Sequence, residues 1–323
     1  MKKDDIMGGK KMKFTHFKSS YPSADGIHKI QFGVYFPTGQ VRGIIQVSHG
    51  MCDYFERYRE LAWYFTQRGF IVCGNDHLGH GNSVESDEEY GWFSEKDGWE
   101  NAVNDLFMLT RIMKKSYPDL PYILIGHSMG SFLARAYATK CGKLIDGLVL
   151  LGTSGGMDAI PELLAFVDML KKIHGGKYRS KIINKLAFGS YNSKITERRN
   201  DYDWVSRDND VTDDFCNDKK CNFIFTLNGF ENLLKVLWYV SNDKWYETFP
   251  KKLPVYLLSG SEDPVGNYGK GVLKVYNKLT EQNVSADMKI YDGARHELFT
   301  DTEKETVFED IARFVEKTTE NKD

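Results

Sequence analysis

The chain has 323 residues, 41% hydrophobic and 27% charged, a balance that fits a globular protein and argues against disordered and fibrous classes. Its 43 basic and 45 acidic residues leave a net charge of −2, too weak a field to hold nucleic acid or an anionic membrane. The expected partner is a small molecule, and the length suits one large domain carrying an insertion.

The N-terminal MKKDDIMGGKKMKF is basic, but no apolar run of signal-peptide length follows it. No later stretch is long and uncharged enough to span a bilayer, which predicts a cytoplasmic protein. FTHFKSSYPSADGIHKIQFGVYFP then holds two extended runs around Asp25-Gly26, a hairpin signal, so the sheet is predicted to begin antiparallel.

Apolar runs bounded by Gly, Asp or Ser follow: GIIQVSHG, FIVCGND, YILIGHS, GLVLLGTS and, much later, PVYLLSG and MKIYDG. They read as strands buried on both faces. Amphipathic segments of helix length lie at about 57–68, 98–116, 129–140, 270–282 and 303–317. Strand then helix, repeated, predicts an α/β fold with a mostly parallel central sheet flanked by helices. Between 155 and 248 the alternation stops. PELLAFVDMLKKIHGG and GFENLLKVLWYV look helical, with the polar ERRNDYDWVSRDNDVTDDF between them. The expected organisation is a core of 1–154 and 249–323 with a helical cap, or lid, over 155–248.

Two stretches fit GxSxG: GHSMG around Ser128 and GTSGG around Ser154. A nucleophile elbow needs a strand that turns sharply into a helix, with small residues flanking the serine. YILI supplies the strand, Gly126 and Gly130 the clearance, and SFLARAYATK the helix. After Ser154, Gly155 and Gly156 are weak helix formers and Pro161 suits a fresh helix start, so GTSGG reads as the exit into the cap. Ser128 is the candidate nucleophile.

Such a site also needs a second oxyanion donor from an earlier loop, then an acid and a histidine, in chain order. In VSHGMCDYFERY the strand ends at His49-Gly50, which points to the backbone amides of Met51 and Met129 as the oxyanion hole. One such donor is worth about 3 kcal/mol of transition-state stabilisation. PVYLLSGSEDPV offers Asp263 as the acid, though spacing does not exclude Glu262. Of eight histidines only His296, in MKIYDGARHELF, follows the acid, and it is the candidate base.

Asp76, His77 and His80 in NDHLGHGNS lack the helical HExxH geometry of a zinc site, and are expected to brace the loops rather than hold a metal. The five cysteines, Cys52, Cys73, Cys141, Cys216 and Cys221, form no CxxC pair and read as free thiols in a reducing compartment.

Taken together, HGMCDYFERY, NDHLGHGNS, GHSMGS, YDWVSRD, FTLNGF, SGSEDPVG and ARHELF resemble the α/β-hydrolase superfamily. Within it the chain is similar to the monoacylglycerol lipase and lysophospholipase-like serine hydrolases. The resemblance implies a Ser128, Asp263 and His296 triad with the Met51 and Met129 amides as oxyanion hole. The family often has a Glu-His pair after the glycine of its HG motif; Asp53-Tyr54 stands there in this chain, read as a local change in the entrance.

The mechanism expected is attack of Ser128 on an ester, an acyl-enzyme, and its hydrolysis through His296, with no metal or organic cofactor. Apolar cap residues, among them Phe166, Phe225, Phe230, Leu234 and Trp238, are candidates for an acyl-chain slot. The expected partner is therefore a small acyl ester, with at most transient membrane-surface contact. An aminopeptidase or peroxidase on the same fold, or a non-catalytic binding module, is the alternative.

Overall fold

A computed structural model describes residues 15–320 and, before them, the backbone of a short antiparallel pair, Ile6–Met7 with Lys10–Lys11. Apart from those four residues, the basic N-terminal stretch lies outside the described residues.

Eight strands form one sheet: β1 Thr15–Pro22, β2 Lys29–Phe36, β3 Gly43–Ser48, β4 Phe70–Asn75, β5 Tyr122–His127, β6 Gly147–Leu151, β7 Val255–Gly260 and β8 Ala286–Tyr291. The spatial order is β8-β7-β6-β5-β3-β4-β2-β1. β1 and β2 form the hairpin read around Asp25-Gly26, and β2 pairs antiparallel with β4. From β4 through β3, β5, β6 and β7 to β8 every pairing is parallel.

The central strands are apolar throughout because both faces are covered. In β5, Leu124 packs with one core while Ile123 and Ile125 face the other, and Leu148, Val149 and Leu150 of β6 alternate in the same way. The first face is covered by α2 Gly98–Ser116, α3 Met129–Cys141 and α9 Lys270–Glu281. α1 Arg59–Thr66 and α10 Lys304–Glu320 cover the second. The helix expected over 57–68 is shorter because a 3₁₀ turn, Phe55–Tyr58, precedes it. Among the described residues no helix is long and apolar enough to cross a membrane.

Between β6 and β7 stand five helices: α4 Ile160–His174, α5 Lys181–Phe188, α6 Asn209–Asn217, α7 Leu227–Ser241 and α8 Asp243–Thr248. α4 carries Pro161 in its first turn, where the missing N–H leaves no bond unmade. The polar middle of the insertion is more helical than its composition suggests. Ser180, Asp208 and Asn242 cap α5, α6 and α8 by accepting from the Ile183, Asp210 and Trp245 amides.

Candidate active site

β5 ends at His127 and α3 begins at Met129, so the whole reversal falls on Ser128, with φ 51° and ψ −122°. A non-glycine residue in that region carries strain of about 1–3 kcal/mol, tolerated where the surroundings over-determine it. Here they do. The Ser128 amide donates to the Leu151 carbonyl at 2.9 Å, and the Ser131 hydroxyl donates to the Ser128 carbonyl at 2.6 Å. A Cβ on Gly130 would lie 2.0 Å from the Ser48 carbonyl oxygen, and one on Gly126 2.6 Å from that of Gly130. Both glycines are therefore obligatory: α3 starts in contact with the end of β3.

Ser154 has a different setting. No helix follows it directly; its hydroxyl accepts from the Gly156 amide at 3.3 Å and its carbonyl accepts from Arg135 at 2.8 Å. The glycine that opens the same motif matters more than its serine. Gly152, at φ 56°, approaches the His296 ring so closely that a Cβ there would sit 2.9 Å from Nδ1 and Cε1.

The His296 Nδ1 lies 2.9 Å from Oδ1 of Asp263, and both side chains are buried. The Val265 amide donates to the same oxygen at 2.9 Å and the Ser259 hydroxyl donates to Oδ2 at 3.3 Å, which fixes the carboxylate. Glu262 points away: its side chain is 56% exposed and nearest to Arg295. Geometry thus separates two acids that spacing left open. The His296 ring is flanked by His127 at 4.8 Å and Trp204 at 5.2 Å between centroids.

The His49-Gly50-Met51 loop abuts the elbow, since a Cβ on Gly50 would lie 3.3 Å from that of Ser128. Met129 is the first residue of α3, so its N–H is one of the amides a helix leaves without an internal partner. Its helix N-terminus also carries partial positive charge. Beneath the loop, Asp53 is buried and not at the entrance as the sequence suggested. Its carboxylate accepts from the Gly50 amide (3.2 Å), the Tyr54 amide (2.8 Å), the Tyr58 hydroxyl (2.7 Å) and Arg57 (2.9 Å). Burial would push this carboxyl up, but the Arg57 guanidinium beside it holds it at about 2. Tyr54 does face the insertion, donating to Asp218 at 2.8 Å.

Arg57 in turn donates to both oxygens of Glu297, next to His296, at 2.7 Å each. The Tyr58 oxygen, having donated to Asp53, accepts from Nδ1 of His127 at 3.0 Å. Burial, then the neighbouring His296, keeps His127 well below the usual imidazole range and therefore neutral. One buried network joins the loop before the elbow to the loop bearing the candidate base.

Asp76, His77 and His80 brace loops. Asp76 accepts from the Phe55 and Asn82 amides, the His77 amide donates to Nε2 of His49, and His80 stands among Phe93, Phe223 and Phe225. Burial, then His49, pushes His80 down to about 3. All five cysteines are free thiols.

Of the apolar insertion residues, Phe225 and Phe230 are fully buried; Phe225 stacks on Phe223 and meets Phe93 and Phe230 edge-on. Phe166 and Leu234 are half-buried, whereas Trp238 is 55% exposed on α7. The 202–207 segment, within the YDWVSRD stretch, docks on the His296 loop, a contact no local pattern encodes: the Trp204 and Val205 carbonyls accept from the His296 and Glu297 amides, and Arg295 donates to the Asp203 and Ser206 carbonyls. The signal available was an aromatic residue, Trp204, inside a charged run.

Comparison with known proteins agrees with this architecture. The chain is 28% identical to the human monoglyceride lipase over 303 residues, 88% of this chain and 85% of that protein. It is 26% identical to the monoacylglycerol lipase of Mycolicibacterium smegmatis, covering 93% and 97%. A thermostable carboxyl esterase of Bacillus coagulans, crystallised with glycerol, superposes with a TM-score of 0.89 at 31% identity, over 95% of this chain and 100% of that one. Residues 39–303 match the family described as serine aminopeptidase, S33. The chain belongs to that family, as an α/β-hydrolase of the monoacylglycerol-lipase-like kind.

Proposed function

We propose that this protein hydrolyses carboxylic esters of lipid-like acyl groups, such as monoacylglycerols or lysophospholipids, through an acyl-enzyme on Ser128. His296 takes the proton from the Ser128 hydroxyl as its oxygen attacks the carbonyl carbon. Asp263 holds the imidazole in the tautomer that leaves Nε2 free, and stabilises the imidazolium. The amides of Met51 and Met129 receive the oxyanion, and the same imidazole protonates the departing alcohol. Water then attacks the acyl-enzyme with His296 again as base. No step calls for a metal or organic cofactor.

The observations that carry this reading are the buried His296 and Asp263 contact of 2.9 Å and a serine held at φ 51° between two obligatory glycines. The lipid-like substrate rests on the relatives and on the apolar insertion, which we assign as a cap over 155–248. The family's description favours one other reading, removal of an N-terminal amino acid.

A panel of nitrophenyl esters of graded acyl length, with a monoacylglycerol, a lysophospholipid and an aminoacyl amide alongside, separates the two. Turnover of the amide alone overturns the esterase reading. Ser128→Ala is expected to lower ester turnover by about 10⁴-fold or more and to abolish fluorophosphonate labelling, while Ser154→Ala leaves both nearly intact.

A further inference from the structure

Arg135 is an anomaly. It sits on α3, two turns after Ser128, with no exposed surface, and among the described residues no carboxylate pairs with it. A buried cation is costly unless its donors and charge are satisfied. Here the acceptors are two main-chain carbonyls and a phenol. One guanidinium nitrogen donates to the Ser154 carbonyl at 2.8 Å; another donates to the Val240 carbonyl and to the Tyr246 hydroxyl, the latter at 3.2 Å. The guanidinium carbon lies 4.6 Å from the Trp245 ring centre and 5.9 Å from that of Tyr246.

These acceptors share one topological property. Ser154 is where the chain leaves the sheet for the insertion, and Val240 is in the last turn of α7, on the way back. The Val240 carbonyl is one that a helix end leaves unpaired and partly negative, a natural counterpart for a cation. The two ends also touch each other. Gly156, at φ 77°, lies so close to Ser241 that a Cβ there would be 2.6 Å from its side chain. Neighbouring turns of α3 add to the junction: the Ser131 and Thr153 hydroxyls meet at 2.8 Å, and the Arg135 carbonyl accepts from the Trp245 indole at 3.2 Å.

We propose that Arg135 is a positioning residue that locks both ends of the 155–248 insertion to the helix bearing Ser128, and so sets the wall that a long acyl chain meets. The planar fork is what the role requires: it reaches two carbonyls at once while stacking on an indole, which a lysine ammonium cannot do. The effect on acyl length rests on the esterase reading; the clamp itself does not.

The test uses Arg135→Met, which keeps the stem and removes the fork, and Arg135→Lys, which keeps the charge and serves alone if the first variant fails to fold. Hydrogen exchange at 153–160 and 236–246 is expected to accelerate about tenfold while exchange in β3 and β5 stays unchanged. The ratio of kcat/KM for a dodecanoyl ester to that for an acetyl ester is expected to fall about tenfold, with fluorophosphonate labelling retained. Unchanged exchange at the two ends, or an unchanged long-to-short ratio, overturns the proposal. A parent protein that turns over no ester overturns the esterase reading instead, and leaves the exchange measurement to decide the clamp.

Discussion

Arg57 and Glu297 meet in a two-pronged contact, 2.7 Å at each nitrogen, between the loop that leads to the elbow and the residue beside His296. The pair is buried, and Glu297 also accepts from the Thr300 hydroxyl at 3.0 Å. Removing Arg57 would strand the Glu297 charge away from water, whereas removing Glu297 leaves Arg57 with Asp53.

Arg57→Met is expected to destabilise the protein by about 3–5 kcal/mol, the cost of uncompensated buried charge, and Glu297→Gln by less, because Asp53 still pairs with Arg57. The double variant should lose less than the sum. Urea denaturation of the three variants measures this; strictly additive losses would show that the two side chains do not act as a unit.

The choice of acid is tested by exchanging oxygens for amides. Asp263→Asn is expected to lower kcat about 10⁴-fold, because the amide cannot hold His296 in the needed tautomer. Glu262→Gln, on an exposed side chain, should change kcat less than about twofold. The reverse pattern would move the role one residue along the chain.

Gly152→Ala adds a single methyl group where its carbon would stand 2.9 Å from the His296 ring, in a backbone with φ 56°. Strain of about 1–2 kcal/mol and a displaced imidazole are expected together. Steady-state kinetics with an ester should therefore show kcat falling by about tenfold or more while thermal unfolding shifts only a few degrees.

Asp105 predicts a pH dependence outside the site. Burial raises this carboxyl to about 7, although the Ala24 amide and the Ser23 hydroxyl both donate to it. An acid whose pKa is higher in the folded state favours folding most when protonated, so stability is expected to decline as pH rises from about 4 to about 7. Asp105→Asn should flatten that part of the profile in urea denaturation. Asp53 has the opposite sign: held at about 2, it contributes stability above about pH 4 that is lost as the pH falls through 2.

Much of the fold was legible because the central strands are short and largely apolar, a pattern that a sheet covered on both faces requires. The sharp turn at Ser128 was legible for a steric reason: Gly126 and Gly130 stand where no side chain fits. Asp263 was not separable from Glu262 by spacing, since its selection depends on the Val265 amide and the Ser259 hydroxyl, contacts made only after the turn closes. Asp53 was misplaced at the entrance because an acid beside a tyrosine looks like surface. Its partners, Arg57 and the Gly50 amide, draw it inside. Trp204 was legible only as part of YDWVSRD and not as a neighbour of His296, because that contact spans a sequence distance that no local pattern encodes.

The left-handed turn at Ser128 has a further consequence. A residue without a side chain would adopt φ 51° at little steric cost, so replacing this serine by glycine relieves strain at the moment it removes the hydroxyl proposed as nucleophile. The working protein is therefore held away from its own stability optimum at a single peptide unit. On the proposed mechanism, selection for robustness alone would drift toward a silent scaffold, and a requirement for turnover is what would keep the hydroxyl in place.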